Sequence, residues 1–177
     1  NSIIITGSNM SGKSTFLRTL AINALLAQTI YITHAKYYKG SIFRIMTSIS
    51  RNDNLNEGKS YYLREAELLL DMIKNLDDIP SLIIIDEIFR GTNTIERIEA
   101  SSRILKYFSE NNALVVVATH DLELNDLVNN TFESYHFSEK VGEGGLEFDY
   151  TLKKGVSNTK NAIKILKYLN YPEEITI

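Results

Sequence analysis

Two patterns of apolar residues alternate along this chain. Short apolar runs of strand length are followed by longer segments in which apolar residues recur every three or four positions. This alternation is typical of parallel β/α units, so we predict an α/β fold with a mainly parallel central sheet flanked by helices. The predicted strands are Ser2 to Thr6, the alternating stretch from Ile42 to Ile49, "LIIID" and "ALVVVATH".

Three segments have the period of a helix with one apolar face. In the first, the apolar face is formed by Leu17, Leu20, Ala21, Ala24 and Leu25. In the second, the residues predicted to point inward are Ala66, Leu69, Leu70 and Ile73. The third covers about Asn93 to Ser109. Towards the end of the chain, "SYHFSE" and "LEFDYTLKK" flank "KVGEGG", which predicts a C-terminal antiparallel hairpin.

Composition sets wider limits on function. With 177 residues and 44% hydrophobic residues, the chain suffices for one domain, 1–177. Its formal charge of −3 gives no electrostatic reason to expect DNA binding by this chain alone, and the lack of cysteine excludes a disulfide framework. No apolar run has the length of a membrane span, so we expect a cytoplasmic protein without a membrane partner. Because the chain starts at Asn1 directly on a strand, we expect it to be part of a longer protein.

The loop "GSNMSGKS" at residues 7–14 follows the first strand and precedes the first helix. Gly7 and Gly12 permit backbone angles closed to other residues, so successive N–H groups can converge on a phosphate. Lys13 would reach the β- and γ-phosphates of ATP, and the Ser14 hydroxyl would ligate Mg²⁺. The order of strand, loop and helix favours a P-loop over an incidental glycine turn. The predicted nucleotide-binding residues of the loop are Gly7, Ser8, Asn9, Met10, Ser11, Gly12, Lys13, Ser14 and Thr15.

Polar side chains follow two of the apolar strands. Asp86 and Glu87 end "LIIIDE", and in a doubly wound sheet such strand ends line the ligand crevice. We predict that Asp86 holds Mg²⁺ through water and that Glu87 deprotonates an attacking water, with turn formation or helix capping as the alternative. His120 follows "LVVVAT" and is predicted to hydrogen-bond the γ-phosphate, unless it is a strand-end residue with an ordinary partner.

Four segments together resemble the ATPase domain of the MutS family of DNA mismatch-repair proteins, within the ABC-type ATPase superfamily. They are "TGSNMSGKSTFLRTLAINALLAQ", "DEIFRGTNT", "ATHDLEL" and "YTLKKGVSNTKNAIKILKYL", and the resemblance covers nearly the whole chain. It implies a P-loop NTPase fold, ATP and Mg²⁺ as cofactors, and ATP hydrolysis. The family commonly has Pro at the position of Ser8 and Gly at that of Ser11, and both departures leave Gly7, Gly12 and Lys13 intact.

The same resemblance implies a composite site between two subunits, either a homodimer or a pair of paralogues. Two ATPase domains of this family meet head to tail, and a serine of one completes the nucleotide pocket of the other. The segment "DNLNEGKSYY" resembles that region and places Ser60 in the role, although Tyr61 stands where Thr is usual. The alternative for Ser60 is a helix N-cap. In "FRGTNT", Arg90 and Asn93 match a segment that relays the nucleotide state, with a solvated turn as the alternative.

Together these features predict an ATP-hydrolysing domain that couples nucleotide-dependent dimerisation to DNA clamping by domains outside this chain. Two alternatives remain open. The nucleotide-binding subunit of an ABC transporter would need an "LSGGQ"-type signature, for which "LNEGKS" is a poor substitute. A nucleotide-gated dimer clamp with negligible turnover is the other alternative, and the presence of Glu87 argues against it.

Overall fold

The computed structural model describes residues 1–8, 10–49, 61–89, 93–142, 145–156, 166–169 and 171–176. Its strands are β1 (Ser2–Thr6), β2 (Arg44–Ser48), β3 (Ser81–Asp86), β4 (Ala113–Thr119), β5 (Phe132–His136), β6 (Glu139–Gly142), β7 (Gly145–Phe148) and β8 (Lys153–Lys154). Its helices are α1 (Lys13–Thr29), α2 (Tyr61–Lys74), α3 (Thr94–Glu110), α4 (Leu122–Val128) and α5 (Glu173–Thr176).

One six-stranded sheet forms the centre of the fold, with the strand order β2-β3-β4-β1-β5-β8. The strands from β2 to β5 in this order run parallel, and β8 pairs antiparallel with β5. The predicted α/β fold with a mainly parallel sheet is therefore confirmed. The glycine loop (residues 7–14) follows β1, which lies inside the sheet between β4 and β5.

Apolar residues cover both faces of this sheet. Successive side chains of β3 point to opposite sides, so Ile83 and Ile85 join one cluster whereas Leu82 and Ile84 join another. The first cluster also contains residues of α2, α3 and α4, and the second contains Leu17 of α1. Because both faces are covered, the central strands are continuously apolar, as parallel strands buried on both sides are.

Two of the residues predicted to point inward do not. Leu25 of α1 and Leu70 of α2 are 50% and 49% exposed, while Asn23 and Met72 are buried. Asn23 is accommodated because its amide donates to the Thr19 carbonyl oxygen at 2.8 Å and its Oδ1 accepts the His34 N–H at 2.6 Å. An amide side chain whose nitrogen and oxygen are both hydrogen-bonded can occupy a buried position. The buried face of α1 is therefore rotated from the face that the apolar pattern predicts.

The C-terminal part contributes strands to two sheets, whereas the sequence predicted a single hairpin. The antiparallel hairpin is present as β6 and β7. However, only the first half of the predicted strand "SYHFSE" lies in β5, which pairs in parallel with β1. Lys153 and Lys154 form β8 on the outer edge of the main sheet. Helix α4 was not predicted, and the strand predicted from Ile42 to Ile49 is shorter, at Arg44–Ser48.

Candidate active site

The glycine loop has the backbone conformation that requires glycine at two positions. Gly7 has φ 143° and Gly12 has φ 100°, both in the region that side chains disfavour. A Cβ atom on Gly7 would lie 2.9 Å from the Phe137 carbonyl oxygen and 2.9 Å from Ser11 Oγ. Gly12 is the N-cap of α1. The chain can therefore turn sharply from β1 into the helix only with glycine at these positions.

Lys13 lies inside the loop rather than in solvent. The residue is 3% exposed, and its Nζ donates to the carbonyl oxygens of Gly7 at 2.5 Å and Ser8 at 2.8 Å. An ammonium group can exchange such carbonyl partners for the oxygens of a bound anion. The loop thus holds the ammonium group of Lys13 between two of its own carbonyl oxygens.

The N-terminus of α1 adds to this positive character. No side chain of the described residues caps the helix, and its first turn contains no acidic residue. The first amide groups of a helix have no partner within it, and the helix dipole favours an anion at this end. Ser14 and Thr15 follow Lys13 in this first turn and line a groove beside the start of α1.

Two serines link the loop internally and to its surroundings. The Ser8 carbonyl oxygen accepts the Ser11 N–H at 3.2 Å and the Ser11 hydroxyl at 2.8 Å. The Ser8 hydroxyl donates to the Glu139 carboxylate of β6. The bond to Glu139 ties the glycine loop to the hairpin. Met10 is exposed, and Asn9 lies outside the described residues.

The sheet places the other predicted residues on the same edge as the glycine loop. Thr6 at the end of β1 pairs with Thr119 at the end of β4, and Ala118 of β4 pairs with Asp86 at the end of β3. The Glu87 N–H then donates to the Ala118 carbonyl oxygen at 2.9 Å. Adjacent strands lie about 4.8 Å apart. The end of β3 at Asp86 is therefore about two strand spacings from the end of β1, where the glycine loop begins.

Glu87 and His120 are in direct contact. Glu87 Oε1 and His120 Nδ1 are 3.2 Å apart, and Glu87 adopts φ 62°, a left-handed conformation. This distance is that of a hydrogen bond between the carboxylate oxygen and the imidazole nitrogen. The imidazole side chain is 51% exposed, which leaves room for a ligand beside it. The sequence predicted both residues separately but not their contact.

A buried ion pair lies next to the histidine. Arg97 Nη2 of α3 and Asp121 Oδ1 are 2.6 Å apart, and the same Oδ1 is 3.7 Å from His120 Nε2. His120 therefore stands between the carboxylates of Glu87 and Asp121. Arg97 and Asp121 were not predicted from the sequence, since their separation of 24 residues carries no local signal of pairing.

An aromatic groove opens beside the start of α1. Its volume is about 520 Å³, and the lining residues are Met10, Gly12, Ser14, Thr15, Phe16, Thr19, Phe137 and Tyr150. The Tyr150 ring approaches Gly12 so closely that a Cβ atom there would be 3.2 Å from Tyr150 Cδ1. The sequence singled out neither Tyr150 nor Phe137, because only the folded chain brings them to the glycine loop.

The remaining predicted residues are Ser60, Arg90 and Asn93. Ser60 and Arg90 lie outside the described residues. Asn93 is the N-cap of α3, and its Oδ1 accepts the Ile95 N–H at 3.0 Å. In the described parts of the chain no three His, Cys, Asp or Glu residues cluster as a metal site, so the Mg²⁺ prediction depends on Ser14, Asp86 and the substrate. Both side chains present oxygen atoms, which Mg²⁺ prefers.

Comparison with known proteins assigns the family. Residues 3–177 match the family described as MutS domain V. The chain belongs to the MutS family. It is 35% identical over 176 residues to the DNA mismatch repair protein MutS of Chlamydia abortus, a match that covers 96% of this chain and 21% of that protein. It is 31% identical over 174 residues to the MutS of Thermus thermophilus, covering 98% and 21%.

A human relative is similar to the same degree. The MutS protein homolog 4 of Homo sapiens is 33% identical over 187 residues, which covers 100% of this chain and 20% of the human protein. The chain thus spans about a fifth of the length of the relatives that it matches. Among the helices that the structure describes, none has the length and apolar character needed to cross a membrane.

Proposed function

We propose that this chain is the ATP-binding and ATP-hydrolysing domain of a MutS-like protein, with a P-loop of the ABC type. In this proposal, nucleotide-dependent dimerisation is coupled to DNA clamping by regions outside the chain. One observation carries it: a buried lysine inside a glycine loop shares a sheet edge with a glutamate that contacts a histidine. A cation for phosphates and a carboxylate for water are what phosphoanhydride hydrolysis needs.

Binding of the phosphates follows from the loop. Lys13 exchanges its bonds to the Gly7 and Ser8 carbonyl oxygens for bonds to the β- and γ-phosphates, while the amides at the start of α1 point at the same group. The Ser14 hydroxyl and the buried Asp86 carboxylate would hold Mg²⁺. The ion, when bound, draws negative charge from the phosphate oxygens.

The groove provides a place for the base. Tyr150 presents an aromatic ring next to Gly12, and the groove continues past Ser14 and Thr15. Stacking on an aromatic ring stabilises a nucleobase by about 1–3 kcal/mol. We therefore assign the adenine contact within this chain to Tyr150.

The hydrolytic step uses Glu87 as the general base. Its carboxylate takes a proton from water as the water oxygen bonds to the γ-phosphorus. The bond from that phosphorus to the bridging oxygen breaks, and ADP leaves with the electron pair. His120 Nδ1 orients the carboxylate through the 3.2 Å contact, and its exposed edge can meet the γ-phosphate.

The proposed dimer follows the resemblance to MutS proteins. Ser60 of one subunit would complete the nucleotide pocket of a second copy or of a paralogous subunit. The bacterial relatives are named for DNA mismatch repair, and we assign DNA contacts to the part of the protein outside this chain. The negative charge of the chain agrees with this division.

Glu87→Gln tests the proposal in the intact protein. The amide keeps the shape of the side chain but cannot accept the proton, a contribution typically worth about 10² to 10⁴ in rate. We expect single-turnover hydrolysis to slow by that factor while ATP binding persists and the ATP-bound dimer accumulates. Glu110→Gln, at the exposed end of α3, is the matched control and should behave like the parent.

Two outcomes would change the proposal. Equal hydrolysis rates in parent and Glu87→Gln would remove Glu87 as the base. A parent that forms ATP-dependent dimers without turnover would show a passive clamp instead of a hydrolase. Dimer formation is monitored by measuring the mass of the protein in the presence of ATP and Mg²⁺.

A further inference from the structure

A buried carboxylate outside the predicted site holds the turn that carries Glu87. Glu65 of α2 is 8% exposed, and its Oε1 accepts the Phe89 N–H at 2.8 Å. Tyr62, almost one helical turn earlier, packs its ring 5.0 Å from that of Phe89. Two side chains of α2 therefore contact the second residue after Glu87.

This turn has an unfavourable backbone conformation. Glu87 has φ 62° and Phe89 has φ 58°, although neither is glycine. Such residues keep a left-handed conformation only where their surroundings hold them. The described backbone contacts that do so are the Glu87 N–H to the Ala118 carbonyl oxygen and the Phe89 N–H to Glu65. A hydrogen bond to a carboxylate is about twice as strong as a neutral one.

We propose that Glu65 is a positioning residue for Glu87. By holding the Phe89 N–H, it keeps residues 87–89 in the conformation that directs the Glu87 carboxylate towards His120. Helix α2 begins at Tyr61, directly after Ser60 in the sequence, so the helix that carries Glu65 also follows the segment assigned to the partner's nucleotide. This inference rests on the proposed function, because it concerns the alignment of the proposed base.

Loss of the carboxylate has a defined physical consequence. Without an acceptor, the Phe89 N–H is buried and unsatisfied, which favours release of the turn from its left-handed conformation. The Glu87 carboxylate then moves with the backbone, and a misplacement of about 1 Å can lower a rate by about 100-fold. The glycine loop follows a different strand, so nucleotide affinity should not change.

The test compares substitutions of Glu65 in the intact protein. Glu65→Ala is expected to lower kcat by up to about 100-fold with an unchanged Kd for a non-hydrolysable ATP analogue. Glu65→Gln still offers an amide oxygen to the Phe89 N–H and should retain a kcat close to that of the parent. The control is Asp71→Ala, an exposed acidic residue of the same helix, which should leave kcat and Kd unchanged.

A double variant separates positioning from a general loss of structure. If Glu65 acts through Glu87, then Glu65→Ala combined with Glu87→Gln hydrolyses no more slowly than Glu87→Gln alone. If the decreases in rate of the two single variants multiply in the double variant, the inference is overturned. It is also overturned if Glu65→Ala keeps the parental kcat, or if Glu65→Gln is as slow as Glu65→Ala. Should Glu65→Ala fail to fold, Glu65→Asp replaces it, because its carboxylate is one methylene too short for the bond. A folded Glu65→Asp with parental kcat would equally overturn the inference.

The outcomes also distinguish this inference from the proposed function. A parent without hydrolysis contradicts the function. A parent that hydrolyses ATP, is slowed by Glu87→Gln and is unaffected by Glu65→Ala contradicts only the positioning role.

Discussion

The buried pair of Arg97 and Asp121 allows a quantitative test of the packing beside His120. The two side chains are 13% and 10% exposed, and their N and O atoms are 2.6 Å apart. With about 4 Å between the charge centres and an effective dielectric constant of about 20, the attraction is about 4 kcal/mol. Desolvation offsets part of this, since burying two charges is costly. Moreover, Arg97 Nε is buried without a partner among the described residues.

We therefore expect a strong asymmetry between single and double substitutions. Arg97→Met leaves the Asp121 carboxylate buried without its cation and should destabilise the chain by about 2–3 kcal/mol, below the roughly 3–5 kcal/mol of fully buried pairs. Asp121→Asn should destabilise the chain by a similar amount, because it leaves the Arg97 guanidinium without its carboxylate partner. The double variant should cost little more than either single one, with a coupling energy of about 2 kcal/mol.

Urea unfolding, monitored by circular dichroism, measures the stability of the 177-residue parent, the two single variants and the double variant, which form a double-mutant cycle. For a chain of this size, the single variants should also lower Tm by roughly 4–12 °C. Losses that add to within about 0.5 kcal/mol would refute the reasoning, because they would show that the two charges do not interact energetically. Arg103→Met, which breaks an exposed pair with Glu99 on the same helix, is the control and should cost less than about 1 kcal/mol.

Three further predictions concern the nucleotide. Lys13→Ala should abolish ATP binding in a fluorescent-nucleotide titration, because the loop loses its cation; unchanged affinity would disprove the P-loop. Tyr150→Ala should raise the Kd for ATP by roughly 5- to 150-fold while Tyr150→Phe stays near the parent, and equal affinities in all three would exclude the ring as the base contact. Mixing intact Ser60→Ala subunits with Lys13→Ala subunits should restore one complete site and partial ATPase activity, whereas a proven heterodimer without activity would contradict the role of Ser60 in trans.

Local features of the sequence account for the parts of the fold that were predicted correctly. The bounds of β1 and the apolar strands β3 and β4 follow from short apolar runs ended by polar or glycine residues. The glycine loop is equally local, because a sharp strand-to-helix turn demands glycine at particular positions. The common edge of Lys13, Asp86 and His120 also follows, since the carboxyl ends of parallel strands meet on one side of a sheet.

The rotation of α1 was decided by tertiary structure. Periodicity alone favoured Leu25 as a core residue, but the buried position was taken by Asn23, whose hydrogen bonds to Thr19 and His34 satisfy it. A pattern of apolar residues does not reveal whether a polar side chain will find partners from a segment that folds back on the helix. The same limit applies to Leu70 and Met72 of α2.

The long-range contacts around Glu87 were likewise decided only by the folded chain. Glu87 meets His120 across 33 residues, and Glu65 meets Phe89 across 24. These pairs depend on the strand order and on how each helix lies on the sheet, which no local pattern encodes. The sequence by itself thus determined which residues are candidates for the proposed chemistry and at which end of the strands they lie. The tertiary structure decided their partners, because hydrogen bonds and ion pairs form only after distant segments have packed together.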